Sequence, residues 1–384
     1  MELTLNDGEK NHYGANPKRT SFPSTPVAQL RGHANGPIHI IRFTCDGNYC
    51  LTGGNDRTVR LWNPTRVDPA YRPPLSNKLS SQEYYARQYS QSHGGGESVQ
   101  QHLPSALPMQ TYSEGHVHPV HAITTNSSST ILLSSSDKTL IATNLVTAQT
   151  VQKWWGHTAR IEYVACLGGG GENEVYASAS YDATVRLWDA RSKSKEPLMI
   201  LDDAKDSVSC ISSGGKGVAQ IITSSVDGKI RTYDLRTGQL ITEEISHPIT
   251  SFAVSNDGRS IAASCLDGII RLFDKYNSNH RIDVRKKVFQ KFHSNHKSGN
   301  YKLECAFSSN DEYVVSGSEC GAVVVYPVQG SMEGGKLLRR HTAPTCSVTC
   351  CPQSSRPWLI ASASYDGSAI VWASREEGEV CMKE

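Results

Sequence analysis

Three groups of residues in this sequence have the composition of a hydrolytic triad. They are His33, Thr52 and Asp56; His157, Ser178 and Asp182; and His341, Ser362 and Asp366. A hydroxyl beside an imidazole beside a carboxylate is the arrangement that activates a serine nucleophile. One enzyme needs one such site. Here the grouping recurs, with each Asp four residues after its Ser or Thr and a Trp (Trp62, Trp188, Trp372) six residues after the Asp. Recurrence favours a structural task. A turn aspartate inside a sheet has acceptors that must be met, and a relay of imidazole, hydroxyl and indole meets them. Other chemistry fails on spacing. Gly168 to Gly171 and Gly214-Gly215-Lys216 lack the G-x-x-x-x-G-K-[ST] order of a phosphate loop. Cys346, Cys350 and Cys351 have no further ligand at metal spacing. The expectation is no catalytic residue, no cofactor and no metal: a protein that is not an enzyme.

The elements that carry these residues are short hairpins. Ala177 to Asp189 reads ASASYDATVRLWD, a small-residue strand, a tight turn at Asp182, and a strand in which Val185 and Leu187 alternate with Arg186 and Trp188. The turn and second strand recur at Asn55 to Trp62, Ser136 to Thr143, Val226 to Tyr233, Leu266 to Phe273, Glu319 to Tyr326 and Tyr365 to Trp372. Most copies are roughly 40 to 50 residues apart, and with Gly32-His33 and Gly156-His157 upstream of their hairpins they resemble the WD40 repeat. Blades two, four, five and six depart from the pattern, with Thr143, Tyr233, Phe273 and Tyr326 where Trp would stand. The fold expected is all-β, a single seven-bladed WD40 β-propeller over 27–373. A four-stranded blade cannot bury both of its faces alone, so blades stack around an axis. Because the last hairpin ends at Trp372, Val27 to Arg31 is expected to supply the outer strand that closes the ring.

Composition agrees with this class. Lys and Arg number 39 against 37 Asp and Glu, a net charge of +2 that points to neither nucleic acid nor an anionic membrane. The 31 glycines suit frequent turns. No apolar run reaches the ~18 residues of a membrane span. Met1 to Thr20 is polar, unlike a secretory signal. The 11 scattered cysteines read as small buried hydrophobes of a protein of the nucleus and cytoplasm. Residues 1–26 read as a disordered tail, with a minimal proline-directed phosphorylation pattern at Pro23-Ser24-Thr25-Pro26. Residues 66–108, rich in Ser, Gln and Tyr, read as a disordered insertion before the outermost strand of blade one, and 374–384 as a polar tail.

Function is then expected on surfaces. The loops entering each blade and the hairpin turns converge on one rim. Repeat matching places Pro37, His39 and Asn55 there from blade one, His121 from blade two, and Arg160, Glu162 and Tyr181 from blade three. Tyr301 and Lys302 come from blade six, and Cys346 and Tyr365 from blade seven. Tyr and Arg gathered around a channel have the character of a protein-binding hot spot. A second candidate is basic: Arg281, Arg285, Lys286, Lys287 and Lys291, in the loop and outer strand leaving blade five, for RNA or an acidic partner. Lysines also protect an exposed strand edge without binding anything.

A closer resemblance lies outside the generic repeat, in DGNYCLTGGNDRTVRLWNP at Asp46 to Pro64, EPLMILDDAKDSVS at Glu196 to Ser209, SVDGKIRTYDLRTGQL at Ser225 to Leu240 and YKLECAFSSNDEYVVSGSE at Tyr301 to Glu319. These segments resemble the mitogen-activated protein kinase organizer family, also called WD repeat protein 83. The resemblance implies a non-enzymatic scaffold, associated with spliceosomes and kinase cascades, monomeric within a larger assembly of splicing factors or kinases and without a membrane partner. The long insertion and the decayed blade two depart from that family's pattern. A rival reading rests on Trp188-Asp189-Ala190-Arg191 and Tyr233-Asp234-Leu235-Arg236. These resemble the box by which substrate receptors dock to cullin-4 ubiquitin ligases.

Overall fold

The computed structural model describes residues 24–33, 36–66, 103–168, 174–192, 194–214, 220–274, 288–293, 295–329, 335–353, 356 and 359–373. They form seven sheets, antiparallel except for one outer parallel pair, and, among the described residues, no helix. The first strand of each sheet touches the first strand of the next, from Ile38–Phe43 of blade one round to Thr345–Cys350 of blade seven and back. This is a closed seven-bladed propeller.

Blade three shows how its sequence makes a sheet. From the channel outward its strands are Ile161–Cys166, Val175–Ser180, Val185–Asp189 and Met199–Leu201. Ala177, Ala179, Val185 and Leu187 are buried against the next blade, while Trp188 and Tyr176 pack on Trp154 of the previous one. Both faces are therefore apolar, and small residues in the second strand let the blades approach. Trp188 is among the largest fully buried side chains, and truncating it to alanine should cost about 3–5 kcal/mol. In blades one, three, four, five and seven the hairpin turns through a left-handed residue just after its aspartate. That residue is Ala183 in blade three (φ 63°) and Gly367 in blade seven (φ 78°). At Gly367 a Cβ would also meet the carbonyl oxygen of Gly36 at 2.9 Å.

Ring closure uses both ends of the described chain. Thr25–Leu30 pairs antiparallel with Ala369–Ala373 as the outer strand of blade seven. It starts two residues earlier and stops one residue earlier than the expected Val27 to Arg31. The extension is held by Ser24 N–H and the Thr25 hydroxyl, both donating to Ala373 O, at 3.1 and 2.9 Å. Thr25 of the phosphorylation pattern is thus part of the closing strand. Ser105–Ala106 adds a fifth, parallel strand outside Gln29 and Leu30. Residues 103–108 of the stretch assigned to an insertion are described and held in place: Gln29 N–H is met by Pro104 O at 2.8 Å, and Ala106 is fully buried. Gln110–Tyr112 then completes blade one. Residues 1–23, 67–102 and 374–384, on which the tail and insertion readings chiefly fall, lie outside the described residues.

Candidate functional site

The triad-like groups are relays of hydrogen bonds inside blades. His157 Nδ1 meets Asp182 at 2.8 Å and its Nε2 meets Ser178 Oγ at 2.7 Å, while Trp188 Nε1 donates to the same oxygen at 2.9 Å. Blade one repeats the pattern at His33, with 2.8 Å to Asp56 and 2.7 Å to Thr52, and Trp62 donating at 2.8 Å. In blade seven His341 meets Ser362 at 2.8 Å and Ser368 at 2.9 Å, with Asp366 at 3.3 Å. Ser178, Thr52 and Ser362 are fully buried, so no substrate reaches these hydroxyls. Burial would raise the Asp182 carboxyl, but the bonds from His157 and Thr184 hold it well below the usual range. Asp56 is brought in the same way to about 2, His33 and Thr58 outweighing its burial.

The channel is built by a different repeated feature. The first strand of six blades carries an irregularity just after its opening residue, as between Ile38 and Ile40, Ile161 and Tyr163, or Thr345 and Ser347. Such bulges re-aim one side chain. The residues at this place are His39, His121, Glu162, Ser209, Thr250 and Cys346. Blade six has Glu304 there, directly before its strand Cys305–Phe307.

At the upper end five of these side chains, those of His39, His121, Glu162, Glu304 and Cys346, together with hairpin tips, line a cavity of about 360 Å³. Nine of the eleven rim residues expected from sequence line it: His39, His121, Arg160, Glu162, Tyr181, Tyr301, Lys302, Cys346 and Tyr365. Pro37 and Asn55 do not line it. They form the neighbouring hairpin contact, Asn55 N–H to Pro37 O at 2.9 Å. Asn300 and Glu304 also line the cavity and were not anticipated.

Charge in the cavity is organised around two carboxylates, Glu162 and Glu304. Arg160 Nε donates to Glu162 Oε1 at 2.6 Å. Lys302 Nζ reaches the same residue's carbonyl at 2.8 Å and its Oε2 at 3.3 Å. Burial would raise Glu162, but Lys302 and then Arg160 keep it ionised, below the ordinary carboxylate range. Deeper, Arg42 grips Glu304 through two bonds of 2.7 Å, and Ser347 Oγ adds a third bond to that carboxylate. Glu304 also lines a second cavity of about 240 Å³, together with Arg42. Above, the His39 and His121 rings lie 4.5 Å apart, Tyr365 is edge-on to His39 at 5.6 Å, and Tyr301 is 5.2 Å from Tyr365. Burial, then Arg160, brings His39 down to about 4. Burial, then His39, brings His121 to about 3.

Arg42 and Glu304 escaped the sequence reading because they come from blades one and six and meet only across the channel. The usable signal was position. Glu304 follows Leu303 just as Glu162 follows Ile161 and His39 follows Ile38. Of the basic set, Lys291 is exposed on the outer strand Val288–Phe292, and Arg281, Arg285, Lys286 and Lys287 lie outside the described residues. In the box at the opposite end of blade three, Arg191 folds back on Asp189, with Nε to Oδ1 at 3.3 Å. Cys346 and Cys351 are buried and turned toward the carbonyls of Ile38 and Gly47 respectively. No group of three or more potential metal ligands converges among the described residues.

Comparison with known proteins supports the architecture. The family described as "WD domain, G-beta repeat" matches at residues 24–63, 148–189, 238–274 and 335–373. The last three spans each begin at or near the preceding blade's outermost strand, and all four end with a third strand. WD repeat domain-containing protein 83 of Homo sapiens is 32% identical over 357 residues, covering 92% of this chain and 94% of the relative. The Rattus norvegicus protein of that name is 31% identical over 358 residues, covering 90% and 96%. The Dictyostelium discoideum homolog is 24% identical over 372 residues, covering 90% and 97%.

Proposed function

The chain belongs to the WD repeat domain-containing protein 83 family of WD40 propellers, and from that premise we propose that it is a non-enzymatic scaffold that assembles partner proteins at its upper rim. The observation that carries the reading is the convergence of Tyr181, Tyr301, Tyr365, His39 and His121 from five blades onto one cavity. Tyr181 and Tyr301 are 49% and 40% exposed, large rigid rings whose ordering on binding costs little. The complex proposed is a splicing assembly or a kinase cascade in the nucleus and cytoplasm, as the family resemblance implies.

The test is purification of the tagged protein from cells under native conditions, beside the double variant Tyr181→Ala, Tyr365→Ala. Losing such anchors typically costs about 2 kcal/mol or more, roughly 30-fold in affinity. Splicing factors or kinases recovered by the natural chain should disappear from the variant while its melting temperature moves by only a few degrees. Unchanged recovery would place the interface elsewhere. Loss only on Lys291→Gln, with sensitivity to nuclease, would favour RNA at blade five. A cullin-4 adaptor lost on Arg191→Ala would favour the box at the lower end.

A further inference from the structure

The upper cavity has hydrogen-bonding capacity that its own chain leaves unused. Among the described residues neither His39 nor His121 makes a side-chain hydrogen bond, although each is largely enclosed. The groups that would welcome a cation are already committed. Glu162 takes Arg160 and Lys302, and Glu304 takes Arg42. Arg160 covers the Tyr181 ring at 4.8 Å, and Arg42 and Lys302 lie at 5.4 and 5.7 Å from the Tyr163 ring. With the Arg42–Glu304 pair neutral, two cations face one carboxylate, and a single positive charge remains uncompensated.

We propose that this cavity receives the carboxylate of an aspartate or glutamate from an extended partner segment, held by Lys302 and the His39–His121 pair, with the rim tyrosines against the flanking residues. The proposal rests on the upper-rim reading and names its ligand. A carboxylate, with one negative charge, matches the surplus that Arg160, Lys302 and Glu162 leave. A phosphate near neutral pH carries up to two charges, more than these groups balance. The exposed Tyr181 and Tyr301 supply contact area for a peptide that a free small anion would not use.

The arrangement also sets the pH dependence. His39 faces Arg160, Glu162 and His33, and His121 faces those first two together with Lys302 and His39 itself. Tyr365 flanks the pair from blade seven, and Cys346 lines the cavity beside it. These surroundings leave both rings neutral at physiological pH. An anion within about 4–6 Å raises an imidazole's pKa by roughly 1–3 units, so occupancy is accompanied by proton uptake. For a rise of about two units at His39, from about 4 to about 6, affinity therefore increases as pH falls, roughly fourfold between about pH 7.5 and about pH 5.5.

The experiment is selection of random linear peptides, displayed on phage, against the full chain, with the Tyr181→Ala, Tyr365→Ala variant as counter-selection. The expected peptides share an acidic residue at one position. In synthetic form, changing it to Asn or Gln weakens binding about tenfold or more. Lys302→Met has a similar effect at unchanged circular dichroism, and His39→Gln with His121→Gln removes the pH dependence. Peptides that need the rim but share a basic or apolar anchor overturn the carboxylate assignment and leave the rim reading standing. A phosphoserine that binds about tenfold better than glutamate at about pH 7.5 overturns it in favour of phosphate. Peptides indifferent to the rim variant, or no enrichment at all, sink both readings.

Discussion

Blades three and four hold the same turn by different chemistry. In blade three Asp182 is met by His157, and the relay runs on through Ser178 to Trp188. In blade four Tyr233 replaces the Trp, and no histidine reaches the aspartate among the described residues. Arg231, four residues after Asp227, grips that carboxylate at 2.6 and 3.2 Å. Blade five does the same with Arg271 and Asp267. What the fold preserves is satisfaction of a buried acceptor, and the residue types that do it are interchangeable. Blade two marks the limit of that freedom. Its tighter turn puts Asp137 itself in a left-handed conformation, and His116 bonds Ser134 at 3.0 Å while its Nδ1 stays buried without a partner.

The comparison breaks first at the arginine. The side chains of Arg231 and Asp227 are only 4% and 8% exposed. Removing one member of a buried pair strands the other charge, so Arg231→Ala should cost about 3 kcal/mol or more in chemical denaturation. Asp182→Ala removes the acceptor at the head of the His157–Ser178–Trp188 relay and should cost less, about 1–3 kcal/mol. Neither change should alter partner recovery at full stability. A smaller loss for Arg231→Ala than for Asp182→Ala would mean that the arginine is not the equivalent of the histidine.

Acid should separate the two kinds of histidine site. Burial, then Lys153, lowers His116 to about 4; burial lowers His296 to about 4 against the Gly317 carbonyl and the Asp267 and Glu319 charges, which raise it. A base whose folded pKa lies below its unfolded value of about 6.5 stabilises the fold fully above that value. Its contribution is lost as pH falls toward about 4. The turn aspartates, depressed from ordinary values near 4, act lower still, between about pH 4 and pH 2 for Asp56. The melting temperature should therefore fall in two stages. His116→Gln should flatten the first stage by a few degrees and leave the second unchanged. A single transition near pH 4, untouched by that change, would mean that the buried histidines do not contribute.

The seven-fold count and the ring closure were legible because period-two strands and turn residues are local signals, repeated often enough to exclude chance. The rim was legible in part, since Tyr181 and Tyr365 occupy the same place in their hairpins. Arg231 and Arg271 carry no mark in the sequence that sets them apart from other strand residues. Sequence pattern reports exposure by alternation, and a buried arginine four residues from its aspartate falls in phase with the exposed positions of an edge strand. The strand at Ser105–Ala106 was hidden for another reason. Two residues carry no period, and their partner, Gln29 and Leu30, is more than seventy residues away.

Blade six offers the finest discrimination. Where blades three and seven present Tyr181 and Tyr365, it has Glu319, whose carboxylate accepts the backbone N–H groups of Gly299, Asn300 and Tyr301 at 2.7, 2.6 and 3.0 Å. The blade gives up a rim aromatic at its hairpin and clamps a loop that brings one from elsewhere, Tyr301, with Lys302 beside it. Burial would raise the Glu319 carboxyl, but the amides of Asn300, Gly299 and Tyr301 hold it below its ordinary value. Because the site is partly solvated, Glu319→Ala should cost only about 1 kcal/mol of stability. Its main effect should be local. The amides of residues 299–301 should exchange hydrogen faster, and binding at the rim should weaken several-fold through the loss of Tyr301 and Lys302 from their places. Glu319→Gln, which keeps one acceptor, should fall between. Faster exchange without weaker binding would show that the loop is anchored there for stability alone, and that Tyr181 and Tyr365 carry the interface without it.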